Sequence, residues 1–299
     1  MMNYETKIKE ILGEDVLISE VGETSNKVFK VNTGSEIVYV KFYRDNSSHV
    51  DNELKIYDLV DDKYLKEVVY KSDSPKMAIF KELVGKTIDE LSSEELNNNC
   101  DKIVDSIVDY FSNISSNKTT GYGLLDENLC GKSNDFIEFL RTRQKDTSDT
   151  LKDYPELSSI ADELLDKYGN IIASDNSLVP IDTNMKNVMV CDDGSIKFVD
   201  PGEMISGPIL MGYGDFAAHT YKTVLYDKLV EKLNLSSDEE KLMRIYAIFS
   251  SLNILAFLRK LGVTELDKVI PFGNSYTFYD LISEHLEYLG SKRLVKKTF

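Results

Sequence analysis

The chain has 299 residues, 42% hydrophobic and 10% aromatic, enough for one large bilobal domain or two closely packed ones with a sizeable core. Its formal net charge of −16, from 51 acidic and 35 basic residues, would repel a nucleic-acid backbone and makes a cationic partner the better expectation. No apolar run approaches the roughly 18 to 20 residues of a membrane span, and the N-terminal MMNYETKIKEILGED has no signal-like apolar region, so a cytoplasmic protein without nucleic-acid or membrane partners is expected.

In chain order, residues 15 to 45 carry three β-branched, period-2 segments, VLISEV, KVFKVNT and IVYVKFY, separated by turn-forming stretches with Gly22 and Gly34. They predict an antiparallel meander. A helix follows near Val50 to Val60, with Leu54, Tyr57 and Leu59 as its apolar stripe, and then two strands, EVVYKS and MAIFKEL, flank the turn SDSP. After Gly85 the pattern becomes helical, beginning with a Ser92 or Ser93 N-cap ahead of EELNNNCDKIVDSIVDYFSNI. Further helices are expected within 133–145, 156–170, 236–262 and 276–290. Short strands around a DDG turn interrupt them in SLVPIDTNMKNVMVCDDGSIKFVDPGE. The class is α+β, with a strand-rich part over 1–85 and a mainly helical part over 86–299.

Cys100, Cys130 and Cys191 form no CxxC pair, and His49, His219 and His285 are dispersed, so neither a thiolate or histidine metal site nor a histidine triad is supported. Chemistry must lean on carboxylates. Asp182 and Asn187 lie five apart just before the strand VMV, and after the Asp193-Gly194 turn the strand IKFVD delivers Asp200. Such a loop and hairpin bring three oxygen-bearing side chains to one edge. Phosphoryl transfer needs that group: a carboxylate to orient the attacking hydroxyl, plus an amide and a second carboxylate as hard ligands for Mg²⁺.

This D-x4-N loop, hairpin and second Asp resemble the catalytic and metal-binding segments of the protein-kinase-like superfamily. The meander, the early lysine, FKELVGKTIDEL, TGYGLLDENLCGKSNDFIEFL and GYGDFAAH together resemble the aminoglycoside phosphotransferase and choline kinase branch, across nearly the whole chain. The resemblance implies a protein-kinase-like bilobal fold, with Asp182 as catalytic base and Asn187 and Asp200 as metal ligands. It makes Lys41 the phosphate-holding strand lysine and Glu53 its partner. Gly22, Ser25 and Asn26 take the place of the phosphate-covering loop, and Glu82, Leu83 and Val84 that of the adenine-binding hinge. Asp215 matches a buried aspartate that anchors the catalytic loop, while its own context also reads as a helix N-cap before FAAHTYKTV. The chain departs from the family pattern in having Pro180-Ile181-Asp182 for His-Gly-Asp, and Pro201-Gly202 after Asp200.

The expected activity is phosphorylation of a hydroxyl on a small, cationic molecule, an aminoglycoside-like antibiotic first, using ATP or GTP with Mg²⁺, by a monomer or dimer. Asp135, Glu138, Glu284 and Glu287 are the candidates for meeting substrate ammonium groups. A kinase for choline, another amino alcohol or a sugar is the alternative within enzymes, and a nucleotide-binding pseudokinase the alternative outside them.

Overall fold

The structure, a computed structural model, describes residues 3–21, 26–43, 48–61, 63–172, 175–201, 203–292 and 294. A first helix, α1 (Tyr4–Leu12), leads into strands β1 (Leu17–Glu20), β2 (Lys27–Asn32) and β3 (Ile37–Phe42). Helix α2 (Ser48–Leu59) and strands β4 (Val68–Asp73) and β5 (Lys76–Lys81) complete this part. The strands form an antiparallel sheet in the order β1-β2-β3-β5-β4. Alternation decides its two faces: Phe29, Val31, Val38, Val40, Phe42, Met77 and Ile79 pack with Ile8 of α1 in one cluster. The opposite face carries Lys41, Ala78 and Phe80 toward α2. Leu54 and Tyr57 of the expected helical stripe are buried, whereas Leu59 is exposed. Helix α1, absent from the sequence-based reading, is a one-residue amphipath in which only Ile8 is fully buried.

Strand β6 (Gly85–Thr87) leaves the first sheet and pairs with β10 (Val188–Cys191), which in turn pairs with β11 (Ile196–Phe198). Gly85 is required by close approach, because a Cβ there would sit 2.3 Å from the Val190 carbonyl oxygen. Helix α3 (Ser93–Ser115) begins at a Ser92–Glu95 capping box, so Ser92 is the N-cap. Strands β7 (Tyr122–Leu125) and β8 (Gly131–Ser133) follow, then helices α4 (Phe136–Thr150), α5 (Pro155–Ser158) and α6 (Ile160–Tyr168). The helix expected over 156–170 is thus two short ones. Strands β9 (Ser177–Pro180) and β12 (Met204–Gly207) join β7 and β8 in a sheet ordered β8-β7-β12-β9.

Helices α7 (Ile209–Thr220), α8 (Val224–Leu233), α9 (Ser237–Lys260) and α10 (Phe278–Tyr288) complete the chain. Asp215 lies in the middle of α7, which corrects the N-cap reading. The glycines of GPILMGYGDF argue locally against a helix, yet tight packing demands them: a Cβ at Gly214 would meet Tyr246 Cβ at 2.6 Å and the Met243 oxygen at 2.8 Å. Helix α9 is long and apolar enough by length and composition to cross a bilayer, but most of its apolar stretch is buried inside the protein.

Candidate active site

Lys41 projects from β3 on the α2 side of the sheet, and its Nζ lies 2.8 and 2.9 Å from the two carboxylate oxygens of Glu53 and 3.3 Å from Asp200 Oδ1. The Tyr43 hydroxyl donates to Glu53 Oε1 at 3.0 Å. Lys41 and Glu53 are both buried, and burial disfavours the ammonium, but the Glu53 and Asp200 carboxylates outweigh it and hold the lysine above its ordinary pKa. Burial, reinforced by Glu53, pushes the Tyr43 phenol up. Lys41 and Asp200 border a cleft of about 600 Å³ whose apolar walls include Val28, Tyr39, Phe80, Leu83, Met189 and Val199. Asn26 also lines it, while Gly22 and Ser25 lie outside the described residues.

In the segment from Glu82 to Val84, Glu82 N–H donates to the Ile37 carbonyl at 3.2 Å and the Val84 carbonyl accepts from Asp192 N–H at 2.9 Å. The Glu82 carbonyl and Val84 N–H are left without backbone partners among the described residues, one acceptor and one donor at the cleft edge. Lys66, which no sequence motif marks, also lines the cleft, with its ammonium 3.9 Å from the Phe80 ring centroid. The residue as a whole is half-buried, yet its ammonium is enclosed: burial, then the nearby Lys41 charge, lowers its pKa to about 8.

The loop between β9 and β10 holds Asp182 at φ +62°, a conformation that Asp and Asn tolerate better than most side chains. Three contacts fix it. Ile181 N–H donates to the Glu203 carbonyl at 2.9 Å, Thr183 N–H donates to Asp215 Oδ2 at 3.1 Å, and Asn187 Nδ2 donates to the Asp182 carbonyl at 2.8 Å. Asp215, buried in α7, also accepts a hydrogen bond from the Ser250 hydroxyl, so it ties α7 and α9 to the loop. At the hairpin's open end, Val188 pairs with Phe198 and Val199 N–H donates to the Asn187 carbonyl at 3.0 Å, which brings Asn187 and Asp200 side by side.

Asp182 opens into a second cavity of about 330 Å³ formed by α4, α7, α9 and the segment before β12. Solvent reaches the residue through it, but the protein encloses much of the carboxylate; burial first, then the Asp215 charge, pushes its pKa up to about 7. Asn184 Nδ2, donating to Asp182 Oδ1 at 2.9 Å, opposes the rise without cancelling it. A carboxyl that titrates near neutrality can both orient a hydroxyl and take its proton. Arg143, Glu203 and Tyr246 also line this cavity; Glu203 follows Asp200 by three residues, whereas Arg143 and Tyr246 stand far from the Asp182 motif in sequence. Packing alone assembles them, so only the i, i+7 polar positions Tyr246 and Asn253 on α9 hinted at a wet helix face.

The four acidic residues expected to meet the acceptor do not line the cavity. Asp135 N-caps α4 through the Glu138 N–H at 2.7 Å, Glu138 is exposed on its first turn, and Glu284 pairs with Lys222 at 2.8 Å. Glu287 is exposed on the last turn of α10. Cavity carboxylates come instead from Asp182, Glu203 and Asp215.

Among the described residues no group of three or more His, Cys, Asp or Glu side chains could hold a metal ion unaided. Asn187 and Asp200 supply one amide oxygen and one carboxylate, and the Asn187 Nδ2 bond to the Asp182 carbonyl leaves Oδ1 as the unclaimed atom. That set fits Mg²⁺, which takes one or two carboxylates and completes its shell with water and substrate phosphates.

No family model and no curated protein matches the chain. Solved structures do. A thermostable mutant of aminoglycoside phosphotransferase APH(4)-Ia, in ternary complex with AMP-PNP and hygromycin B, superposes with a TM-score of 0.69 at 15% identity, covering 86% of this chain and 92% of that one. Choline kinase LicA from Streptococcus pneumoniae has a TM-score of 0.64 at 15% identity, covering 96% and 97%, and a complex of LicA with AMP is equally similar in fold. The chain therefore has the protein-kinase-like fold that the resemblance implied.

Proposed function

We propose that this protein transfers the terminal phosphoryl group of a nucleoside triphosphate, ATP first, to a hydroxyl of a small molecule. The observation that carries the reading is the proximity of these groups: Lys41 and Asp200 border one cavity and Asp182 another, the Asp200 charge acts on Asp182, and the Asn187 side chain bonds the Asp182 carbonyl. The strand-rich part over 1–85 would hold the nucleotide and 86–299 the acceptor; a structure of similar fold is a ternary complex with AMP-PNP and hygromycin B.

Lys41, oriented by Glu53, would meet the phosphate oxygens as charge redistributes in the loose transition state. Asn187 and Asp200 would hold Mg²⁺, which supplies charge neutralisation and alignment of the phosphates when bound. Asp182 would align the acceptor hydroxyl and accept its proton at a carboxylate oxygen. With Pro180-Ile181 before it, Asp182 still has its carbonyl bonded by the Asn187 side chain.

ADP release from MgATP by the purified chain, measured with a panel of hydroxylated acceptors, tests this. Asp182→Asn is expected to lower acceptor-dependent turnover about 10²- to 10⁴-fold while AMP-PNP still raises the melting temperature. Nucleotide binding with no turnover for any acceptor would mark the chain as a binding module, and absence of nucleotide binding would overturn the reading.

A further inference from the structure

The cavity beside Asp182 is lined by carboxylates, yet its unspent hydrogen-bonding capacity is of the opposite kind. Asp215 already accepts from Thr183 N–H and the Ser250 hydroxyl. Arg143, on α4, makes no hydrogen bond or ion pair through its guanidinium among the described residues. Glu203 and Asp215 are close enough to act on it electrostatically but lie beyond ion-pair distance. Tyr246, on α9, is 1% exposed, and its buried hydroxyl has no hydrogen-bond partner among the described residues. Asn253, one helical turn past Ser250, accepts through Oδ1 from Thr147 Oγ1 at 2.7 Å and Gln144 Nε2 at 3.4 Å, which leaves its amide NH₂ unclaimed.

Guanidinium, phenol and amide thus give the residues lining this cavity three donor groups without a protein acceptor among the described residues. Burial presses the Arg143 pKa down more than Glu203 and Asp215 hold it up, so its charge is under-compensated. A guanidinium does not shed its proton at accessible pH, so only an entering anion relieves that cost. His219 is no substitute, since burial lowers its pKa despite Asp215. Arg143 is the one permanent cation among the described lining residues.

We propose that this cavity takes an acceptor bearing a carboxylate or a phosphate beside its hydroxyl, with the anionic group held by Arg143, Tyr246 and Asn253 and the hydroxyl presented to Asp182. The proposal rests on the phosphotransfer reading above and differs from the cationic acceptor expected from the sequence. A volume of about 330 Å³, near the lower end of small-molecule sites, suits a compact hydroxy acid or sugar phosphate better than a multi-ring polycation. The exposed Glu203 at the rim can receive an ammonium where the acid is zwitterionic.

The test is thermal unfolding of the full chain, first with AMP-PNP and Mg²⁺ alone, then with these saturating and with millimolar inorganic phosphate, D-glycerate, glycerol 3-phosphate, glycerol or choline. At least one anion is expected to raise the midpoint by about 2 °C or more, and glycerol and choline are not; D-glycerate against glycerol 3-phosphate separates carboxylate from phosphate. Arg143→Met should abolish the rise while keeping the AMP-PNP response, and Arg143→Lys should restore part of it. With an anion that turns over, Arg143→Met should raise KM about 10- to 100-fold with little change in kcat, as loss of a charge-assisted contact predicts. Stabilisation by choline alone, silence toward all three anions, or an unchanged response in Arg143→Met overturns the proposal. Failure of AMP-PNP to stabilise the wild type instead sinks the phosphotransfer reading, independently of the anion response.

Discussion

Replacing Asp182 by Asn should stabilise the protein while removing its activity, and the gain should depend on pH in a defined direction. Asn keeps the acceptor that Asn184 Nδ2 engages at 2.9 Å and tolerates the φ of +62°, so the substitution isolates the charge. The folded chain holds the Asp182 proton up to about pH 7, whereas the ordinary aspartate value of the unfolded chain is 3.8. A raised carboxyl pKa means that the ionised form is penalised on folding. Its cost is therefore absent below 3.8, grows as pH rises through the window, and is complete above about 7. The full conversion is about 4 kcal/mol, and solvent access through the open cavity reduces it to about 2 kcal/mol. With an unfolding entropy of about 2.1 cal/mol/K per residue, that is about 3 °C in Tm at pH 8, falling to about 1 °C at pH 5. Calorimetry or dye-monitored melting of both proteins across this range reads the difference directly. A Tm gain that is flat with pH, or a loss at pH 8, would refute the argument that Asp182 is held in a charge-averse site.

Turnover should follow the same group. The kcat/KM profile of the wild type is expected to show an acid limb near pH 7, and Asp215→Asn, by removing the neighbouring charge, should move that limb to lower pH in a stopped pH series. Lys41→Met strands the buried Glu53 carboxylate and is expected to cost about 3 to 5 kcal/mol in urea unfolding; the double change Lys41→Met with Glu53→Leu should recover most of it, and equal losses in both variants would argue against the pair. Gly214→Ala forces a methyl against Tyr246 Cβ and the Met243 carbonyl, so α7 and α9 must part at a cost of about 1 to 3 kcal/mol, read by denaturant midpoint; an unchanged midpoint would contradict the packing.

What the sequence revealed and concealed follows from how far apart the cooperating residues lie. Asp182, Asn187 and Asp200 share one loop and hairpin, so their spacing exposed them, and Lys41 and Glu53 stood out because a strand and the next helix repeat a known pairing. The meander was visible from its period of two, with Val38, Val40 and Phe42 marking the buried face. Helix α7 was hidden by glycines that serve interhelical contact, an interaction no local propensity records. Acceptor-side residues were hidden for a related reason: Arg143 and Tyr246 reach one cavity from α4 and α9, a hundred residues apart, through packing alone. The acidic residues named from the sequence lie elsewhere: Asp135 caps α4 and Glu284 pairs with Lys222, and none of the four lines that cavity.

Two opposite charges in one cavity that do not neutralise each other impose a constraint on mechanism. The carboxylates of Asp215, Glu203 and Asp200 all raise the Asp182 pKa, and Arg143 exerts no compensating pull large enough to rank with them. An anionic acceptor seated on Arg143 adds negative charge to the site and presses that pKa higher still. A strong early base is therefore the wrong role for Asp182. Loose phosphoryl transfer does not require one: bond cleavage to the leaving group runs ahead of nucleophilic attack, and the hydroxyl becomes acidic only as the new bond forms. A carboxylate with a raised pKa holds that hydroxyl in a stronger hydrogen bond beforehand and takes the proton late, when the acidity has crossed over. On the phosphotransfer reading, the stability lost at Asp182 keeps the group in that range, and the Asp215 side chain that bonds the loop is the same charge that tunes it.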